Sequence, residues 1–291
     1  MFGASERLDS VGARVLRNLI DGGFAGPIYP VNPKHATVLG HRCYRSLLEI
    51  DGAVDLAVIA TPAATVLNII RECGQHGVPA VLVYSAGFGE THGRMPGAVP
   101  ASTLGAEARR LHMRLLGPNC LGIMRPIAAL NATFSKNIAR AGSAALISQS
   151  GALCTAILDW AQARAIGFSA MVSLGDAADI DFGEILDYFA LDAQTRSILL
   201  YVEGIHDARH FMSGLRAAAR AKPVVVVKAG RHSGGARAAL SHTGAMVGAD
   251  DVFDAALARA GAVRAHTVEQ LFAAAQLLAA EHRVAGDRLA I

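Results

Sequence analysis

Several features that mark membrane, disulfide-bonded and zinc-binding proteins are absent from the sequence. No apolar run approaches the roughly 18 residues that a membrane-spanning helix needs, because the strongest run, 144–158, is interrupted by Ser148, Gln149 and Ser150. No charged segment followed by an apolar one opens the chain, so no secretory signal is predicted. The four cysteines show no C-x-x-C spacing, which argues against a zinc site and a disulfide framework. We therefore expect a soluble, cytoplasmic protein.

Neither sign of charge dominates the chain. Its 27 lysines and arginines nearly balance 24 aspartates and glutamates, for a net charge of +3 that is spread along the sequence. This charge is too weak to indicate nucleic acid as a partner, but it is compatible with a small anionic ligand. Only 18% of the residues are charged, whereas 52% are hydrophobic, and this composition indicates buried sheets with helices on both faces.

Short β-branched runs alternate with helical patterns along the chain, which predicts parallel β-α-β units. A length of 291 residues is sufficient for two domains. Strands are expected at 28–31, 56–60, 80–84, 114–116, 144–147, 170–174, 197–202 and 224–227, and helices in the first half at 12–21, 64–76 and 104–112.

A turn-rich stretch at 124–142 places the predicted domain boundary near Arg125. We expect an α/β protein with a Rossmann-like domain at 1–125 and a flavodoxin-like, doubly wound domain at 126–280. Both ends of the sequence resemble interrupted elements. Most of a first strand is expected to be missing at the start, and 281–291 is expected to begin a further domain.

The opening loop, Gly3-Ala4-Ser5, lacks the G-x-G-x-x-G spacing of dinucleotide-binding loops. Gly3 and Ser5 can nevertheless bring backbone and hydroxyl donors close to a phosphate, and the helix that follows offers its first amides. An NAD site requires an acidic residue after the second strand, but Lys34 follows in V-N-P-K. Lys34 therefore favours a phosphorylated ribose, as in NADP or coenzyme A, with a solvated surface lysine as the alternative.

In the second half, Ser150 and Gly151 lie at a junction between a strand and a helix. The helix is predicted from apolar residues at i, i+3, i+4 and i+7, namely Leu153, Ala156, Ile157 and Trp160. Its free N-terminal amides could hold a phosphate. An ordinary serine N-cap is the competing interpretation.

Glu203 and His242 are the residues that best fit covalent catalysis. Glu203 directly follows the predicted strand 197–202 and could hold one nitrogen of an imidazole, leaving the other nucleophilic. His242 lies in a long glycine-rich stretch, 231–248, and could act as a nucleophile or carrier; an exposed loop histidine is the alternative. His206 and His210 are spaced for one helix face, but no third ligand is near in sequence, so no metal site is predicted.

Taken in order, the segments G-A-S, Y-P-V-N-P-K, I-A-T-P-A, S-A-G-F-G-E, G-P-N-C-L-G, S-Q-S-G-A-L, V-S-L-G-D, Y-V-E-G-I and S-H-T-G-A extend almost from end to end of the chain. This series resembles the CoA-binding and ligase domains of the NDP-forming acyl-CoA synthetases, which are relatives of the succinyl-CoA synthetase α subunit. G-P-N-C and S-H-T-G within this order are specific, whereas any single segment is not.

The resemblance implies an acid-CoA ligase that forms an acyl phosphate and then a phosphohistidine, with the 126–280 domain carrying the phosphohistidine loop. It implies that His242 is phosphorylated, that Glu203 pairs with it, and that Ser150 and Gly151 receive its phosphoryl group. The CoA-binding residues that it implies are Gly3, Ala4, Ser5, Asn32, Pro33, Lys34, Thr61 and Pro62, with Asn119 and Cys120 near the CoA thiol.

The resemblance also implies partners. The family binds ADP or ATP with magnesium on an ATP-grasp domain or subunit, which this sequence lacks, so the chain alone is not expected to complete the reaction. An oligomer and a small carboxylic acid or acyl-CoA substrate are further implications. Two alternatives stay open at this point: the CoA-sensing regulatory portion of a GNAT-type protein lysine acetyltransferase, and an NADP-dependent enzyme, which rests on the first domain only.

Overall fold

Two sheets organise the chain. The structure, a computed structural model, describes residues 1–89, 95–230 and 250–279. After a small antiparallel hairpin, β1 (Thr37–Val38) and β2 (His41–Arg42), three parallel strands pair in chain order: β3 (Ala57–Ile59), β4 (Ala80–Val83) and β5 (Arg114–Leu116). Their side chains are largely buried on both faces, which explains the continuous apolar runs in the sequence.

The first three residues extend this sheet. Phe2 forms parallel bridges to both Ile59 and Val31, and Val31 forms a further bridge to Tyr44. The strand that was expected at 28–31 is reduced to that single bridge at Val31. Proline explains the difference, because Pro30 has no backbone N–H to donate to a ladder; its carbonyl still accepts from Tyr44 N at 2.9 Å.

The helices of the first half agree with the sequence prediction to within three residues. They are α1 (Val11–Asp21), α2 (Ala63–His76) and α3 (Ala101–Arg110). The Ser10 hydroxyl caps α1 by accepting from Ala13 N at 3.1 Å, and Gly77 ends α2 in the left-handed region at φ 82°. α3 begins earlier than expected, directly after Pro100, a residue that is well suited to a helix start.

The second sheet has seven strands. Its members in chain order are β6 (Gly122–Arg125), β7 (Leu130–Thr133), β8 (Arg140–Ser148), β9 (Gly167–Ser173), β10 (Ser197–Val202), β11 (Val224–Lys228) and β12 (Val263–Ala265). They are arranged in the order β12-β11-β10-β8-β9-β6-β7. The central strands are parallel to one another, whereas β6 pairs antiparallel with both of its neighbours, β9 and β7. The turn-rich stretch at 124–142 thus contains part of a hairpin, and β6 reaches the predicted boundary at Arg125 while already paired with β9.

Five helices accompany the second sheet in the described residues: α4 (Gly151–Gln162), α5 (Phe182–Leu191), α6 (Ala208–Ala221), α7 (Asp250–Ala260) and α8 (Val268–Ala279). Local capping explains several starts. Asp181 and Glu184 form a reciprocal capping box at α5, and the Asp207 carboxylate accepts from two amides at the start of α6. No helix within the described ranges is long and apolar enough to cross a membrane.

A seam of backbone bonds joins the two sheets. It consists of residues 115–121 on the first-sheet side and 173–180 on the second, and we call it the seam below. Asp176 N donates to Pro118 O at 2.9 Å, and Ala178 N donates to Gly117 O at 3.0 Å. Leu121 N donates to the Ser173 hydroxyl at 3.0 Å. The seam holds the carboxyl end of β5 against the end of β9, and so fixes one side of the cavity described next.

Candidate functional site

A cavity of about 430 Å³ lies where the strand ends of the two sheets meet. Five of the residues predicted for function line it: Ser150, Gly151 and Glu203 from the second sheet, and Asn119 and Cys120 from the first. These residues are separated by up to 84 positions in sequence, and the seam brings them together. Carboxyl ends of parallel strands are where doubly wound folds bind ligands.

The start of α4 combines both predicted interpretations of Ser150. Its hydroxyl accepts from Leu153 N at 3.3 Å, which is the bond of an ordinary N-cap. Its own N–H donates to the Ser148 hydroxyl at 3.0 Å. Gly151 and Ala152 also line the cavity, and no hydrogen bond to either amide is found among the described residues. The cap therefore leaves two amides and the positive end of the helix dipole for an anion.

The small size of Gly151 allows the start of α4 to approach the neighbouring loop closely. A Cβ at this position would lie 3.2 Å from the Leu121 Cβ, which belongs to the seam. The helix start is thus in close contact with the G-P-N-C-L-G loop of the other sheet.

Glu203 follows β10 and is only 8% exposed, although it lines the cavity. The backbone amides of Glu203 and Gly204 donate to the Gln149 side-chain oxygen at 2.6 Å and 3.0 Å. Burial, and then the charge of Glu203, raise the pKa of the neighbouring Tyr201. The backbone turn that carries Glu203 is therefore fixed at the cavity wall by Gln149.

Gln149 is a site residue that the sequence interpretation did not single out. It is 9% exposed and lines the same cavity. Its position between two serines at a strand end was the available signal, because strand ends had already been marked as the ligand-binding edge.

The G-P-N-C loop has an unusual backbone. The Gly117–Pro118 peptide is cis, and Asn119 lies in the left-handed region at φ 58°, where asparagine is tolerated better than most residues. The Asn119 amide donates to the Asp176 carboxylate at 3.0 Å. Asp176 also lines the cavity.

Cys120 is buried, and its thiol donates to Val83 O at 3.3 Å. Burial raises the pKa of this thiol to about 12. The side chain is therefore unsuited to act as a nucleophile at neutral pH, and the loop offers the cavity its backbone and Asn119 instead.

The other eight predicted CoA-binding residues lie at the same edge of the first sheet. The Asn32 amide donates to Ala4 O at 2.8 Å, and a Cβ on Gly3 would be 2.4 Å from Ala60 O. Loops 3–5, 32–34 and 60–62 are therefore packed together. None of the eight, all of them described, lines the 430 Å³ cavity.

Their side chains differ in what they can offer a ligand. Ala4 is fully buried, so only its backbone could contribute. Ser5 and Thr61 are half-buried, whereas Pro33, Lys34 and Pro62 are exposed. Lys34 N donates to the side-chain oxygen of Asn32 at 3.0 Å, and the exposed Lys34 ammonium is accessible to a phosphate.

His242 lies outside the described residues, which stop at Gly230 and resume at Asp250. The ends of that interval are described. Lys228 pairs with Val202 in the ladder between β10 and β11, and the ammonium of Lys228 lies 3.6 Å from the Asp250 carboxylate. Both ends of the interval are thus anchored beside the strand that leads into Glu203.

The two histidines with helical spacing do not share a site. His206 precedes α6 and lines the cavity. His210 lies within α6, with a ring nitrogen 3.7 Å from Asp181 and 3.8 Å from Glu184. These three residues could offer one ligand atom each to a metal, but both carboxylates already serve the capping box of α5.

Comparisons with known proteins identify both parts of the chain. Residues 1–126 match the model of a CoA binding domain, and residues 141–278 match that of a succinyl-CoA ligase like flavodoxin domain. The first of these matches favours coenzyme A over NADP as the ligand of the first domain. Both confirm the α/β fold that the sequence predicts, with its Rossmann-like and flavodoxin-like parts.

The relatives are ligases. The alpha subunit of ADP-forming acetate–CoA ligase I of Pyrococcus furiosus is 42% identical over 295 residues, covering 100% of this chain and 63% of its own length. ADP-forming acetate–CoA ligase I of Archaeoglobus fulgidus is 43% identical over 287 residues, covering 99% of this chain and 41% of its own length. The regulatory portion of an acetyltransferase gains no support from these relatives.

A solved structure shows the same fold. The dinucleotide forming acetyl-coenzyme A synthetase 1 of Ca. Korarchaeum cryptofilum, in complex with phosphate and ADP, superposes with a TM-score of 0.89 at 38% identity; the match covers 96% of this chain and 60% of that one. The chain thus spans less than two thirds of the length of these relatives. Its motifs, two domain matches and fold show that it belongs to the family of NDP-forming acyl-CoA synthetases.

Proposed function

We propose that this chain is the CoA-binding and phosphohistidine-bearing part of an ADP-forming acid-CoA ligase. The reaction interconverts acyl-CoA, ADP and phosphate with a carboxylic acid, ATP and CoA. The observation that carries the proposal is the single cavity shared by the G-P-N-C loop, the start of α4 and Glu203. One loop comes from the CoA-binding domain and the other two features come from the flavodoxin-like domain.

The proposed chemistry has three steps. A phosphate oxygen attacks the thioester carbonyl of acyl-CoA, the C–S bond breaks, and CoA leaves while an acyl phosphate forms. An imidazole nitrogen of His242 then attacks phosphorus, so that an N–P bond forms and the P–O bond to the acyl group breaks, releasing the carboxylate. Finally the phosphoryl group passes to an oxygen of ADP, which breaks the N–P bond and gives ATP.

The described residues suit the first two steps. The amides of Gly151 and Ala152 at the helix start would hold the phosphate and then the phosphoryl group. Glu203 would hold the imidazole in the correct tautomer and stabilise the positive charge that develops on the ring. Asn119 would orient the thioester end of CoA, and the loops at Gly3, Asn32 and Thr61 would hold the rest of that ligand.

The third step needs a partner. In the cavity, the Asp176 carboxylate accepts from the Asn119 amide at 3.0 Å. ADP and magnesium are proposed to bind an ATP-grasp domain or subunit that associates with this chain. A small carboxylic acid is the proposed substrate, in keeping with the acetate named for the relatives.

Radiolabelled ATP tests the proposal. The complete protein with its ATP-grasp partner, incubated with γ-labelled ATP and magnesium, should acquire an acid-labile label on His242. Glu203→Gln should slow the labelling by about 100-fold, because the developing imidazolium loses its counter-charge.

The controls separate this histidine from its neighbours. His206→Ala removes a histidine that lines the same cavity, yet it should leave the stoichiometry of the label unchanged. A label that survives His242→Ala, or an unlabelled wild-type complex, would contradict the proposed function.

A further inference from the structure

Gln149 occupies the first position after β8, beyond the point where the ladder with β10 pairs Ser148 with Tyr201. Its N–H continues this pairing by donating to Tyr201 O at 3.3 Å. The side chain is nearly buried at the cavity wall. Gln149 therefore lies between the start of α4 and the turn that carries Glu203.

The Gln149 amide makes three hydrogen bonds to that turn. Its oxygen accepts from Glu203 N at 2.6 Å and from Gly204 N at 3.0 Å, and its nitrogen donates to Gly204 O at 2.9 Å. A neutral amide offers both an acceptor and donors on one planar group. Methionine offers neither in comparable strength, and asparagine is one methylene too short to reach.

This arrangement links two groups that are far apart in sequence. The backbone of Gln149 leads directly into Ser150 and α4, while its side chain fixes Glu203. The start of α4 and the turn that carries Glu203 are therefore joined by the Gln149 side chain, in addition to the backbone bond from Gln149 N to Tyr201 O. A phosphoryl group on an imidazole would have to fit between these two groups.

We propose that Gln149 is a positioning residue, which sets the separation between the Glu203 carboxylate and the start of α4 for transfer of the phosphoryl group. The inference rests on the proposed function, since that function places the phosphorylated histidine between the two groups. In this role Gln149 acts through the turn that carries Glu203.

The test compares Gln149→Met and Gln149→Asn in the complete protein with its ATP-grasp partner. The rate of histidine labelling should fall by about 100-fold in both variants, because displacing a reacting group by about 1 Å can slow a reaction by this factor. The dissociation constant for CoA, measured by calorimetry, should stay within about twofold of wild type, whereas a general loosening of the fold would weaken CoA binding as well.

Hydrogen exchange gives a second readout that does not depend on any reaction. The amides of Glu203 and Gly204 should exchange about tenfold faster in Gln149→Met, because their acceptor is gone. Gln162→Met, at the exposed end of α4, is the matched control and should change neither rate.

The outcomes are distinguishable. If the wild type is labelled and both Gln149 variants are labelled at the same rate, the positioning role is overturned. Equal losses of labelling and of CoA binding would also overturn it, in favour of a purely structural role. An unlabelled wild type with faster exchange in Gln149→Met would instead refute the proposed function while leaving the hydrogen bonds of Gln149 established.

Discussion

At the scale of single residues, burial determines whether a cysteine thiol can react. All four cysteines are buried. Burial raises the pKa of Cys73, Cys120 and Cys154 to about 12, and it also raises that of Cys43. Cys120 lies in the cavity wall with its thiol bonded to Val83 O, so it contributes shape to the site.

A thiol titration tests this point. In the folded protein at about pH 8 the cysteines should react with Ellman's reagent about 1000-fold more slowly than a free thiol, because both the thiolate fraction and access are low. All four should react after unfolding in guanidinium, which is the internal control. Rapid modification of Cys120 in the folded protein would contradict the assignment.

The sequence identifies the residues that follow strands but not the directions of their side chains. Ser150 and Glu203 were predicted from their places at strand ends and Asn119 from the family resemblance, and the structure brings all three to one cavity. Gln149 was missed because the pattern cannot show that its side chain turns back to bond Glu203 N, which is 54 positions away. The role of His242 stays a prediction, since this residue is not among those described.

Among the structural elements, the seam restricts which residues can follow β9. Gly175 has a φ of +59°, and a Cβ there would lie 2.2 Å from Pro118 O and 2.6 Å from Asn119 O. Those acceptors are backbone atoms of the G-P-N-C loop and cannot move aside as a flexible side chain could. The G-D dipeptide after β9 is thus fixed by contact with the other sheet.

Gly175→Ala should lower the free energy of unfolding by about 3 kcal/mol, since it adds both a steric overlap and an unfavourable φ. Urea denaturation measures the change. Gly40→Ala separates the two effects, because Gly40 has a φ of +78° with nothing within 4 Å of its Cβ position. That control should cost only about 1 kcal/mol, and an equal loss in both variants would show that the contact with Pro118 contributes nothing.

Helices were easier to predict than short strands. α2 was predicted to within one residue because its apolar spacing and Gly77 mark both face and end. The strand at 28–31 was overpredicted, since propensity favours it while Pro30 prevents regular pairing. The β6–β7 hairpin was missed because most of it lies within the stretch 124–142, which was interpreted as a turn-rich domain boundary.

For the whole molecule, charge reinforces the seam. The Asp179 carboxylate is only 2% exposed and accepts from Arg109 at 2.9 Å and Arg114 at 3.0 Å. It also accepts from Leu115 N at 2.9 Å. The arginines belong to α3 and β5, whereas Asp179 precedes α5, so these bonds cross between the two sheets.

Asp179→Ala should lower the free energy of unfolding by about 2 kcal/mol, because the Leu115 amide loses its acceptor and two half-exposed guanidinium groups lose a nearly buried partner. In calorimetry, the single transition expected for the wild type should broaden or split as the two halves lose their coupling. The exposed pair of Arg7 and Asp9 provides the control. Asp9→Asn should cost less than about 0.5 kcal/mol, and a similarly small effect for Asp179→Ala would contradict the coupling.

The seam also has an evolutionary consequence. Relatives that match this chain almost from end to end differ in their own length, because the match covers 63% of one and 41% of another. Exchange of one half alone would have to recreate the fit of Gly175 against Pro118 and of Asp179 against two arginines at the same time. Recombination should therefore have transmitted the two domains as one heritable module.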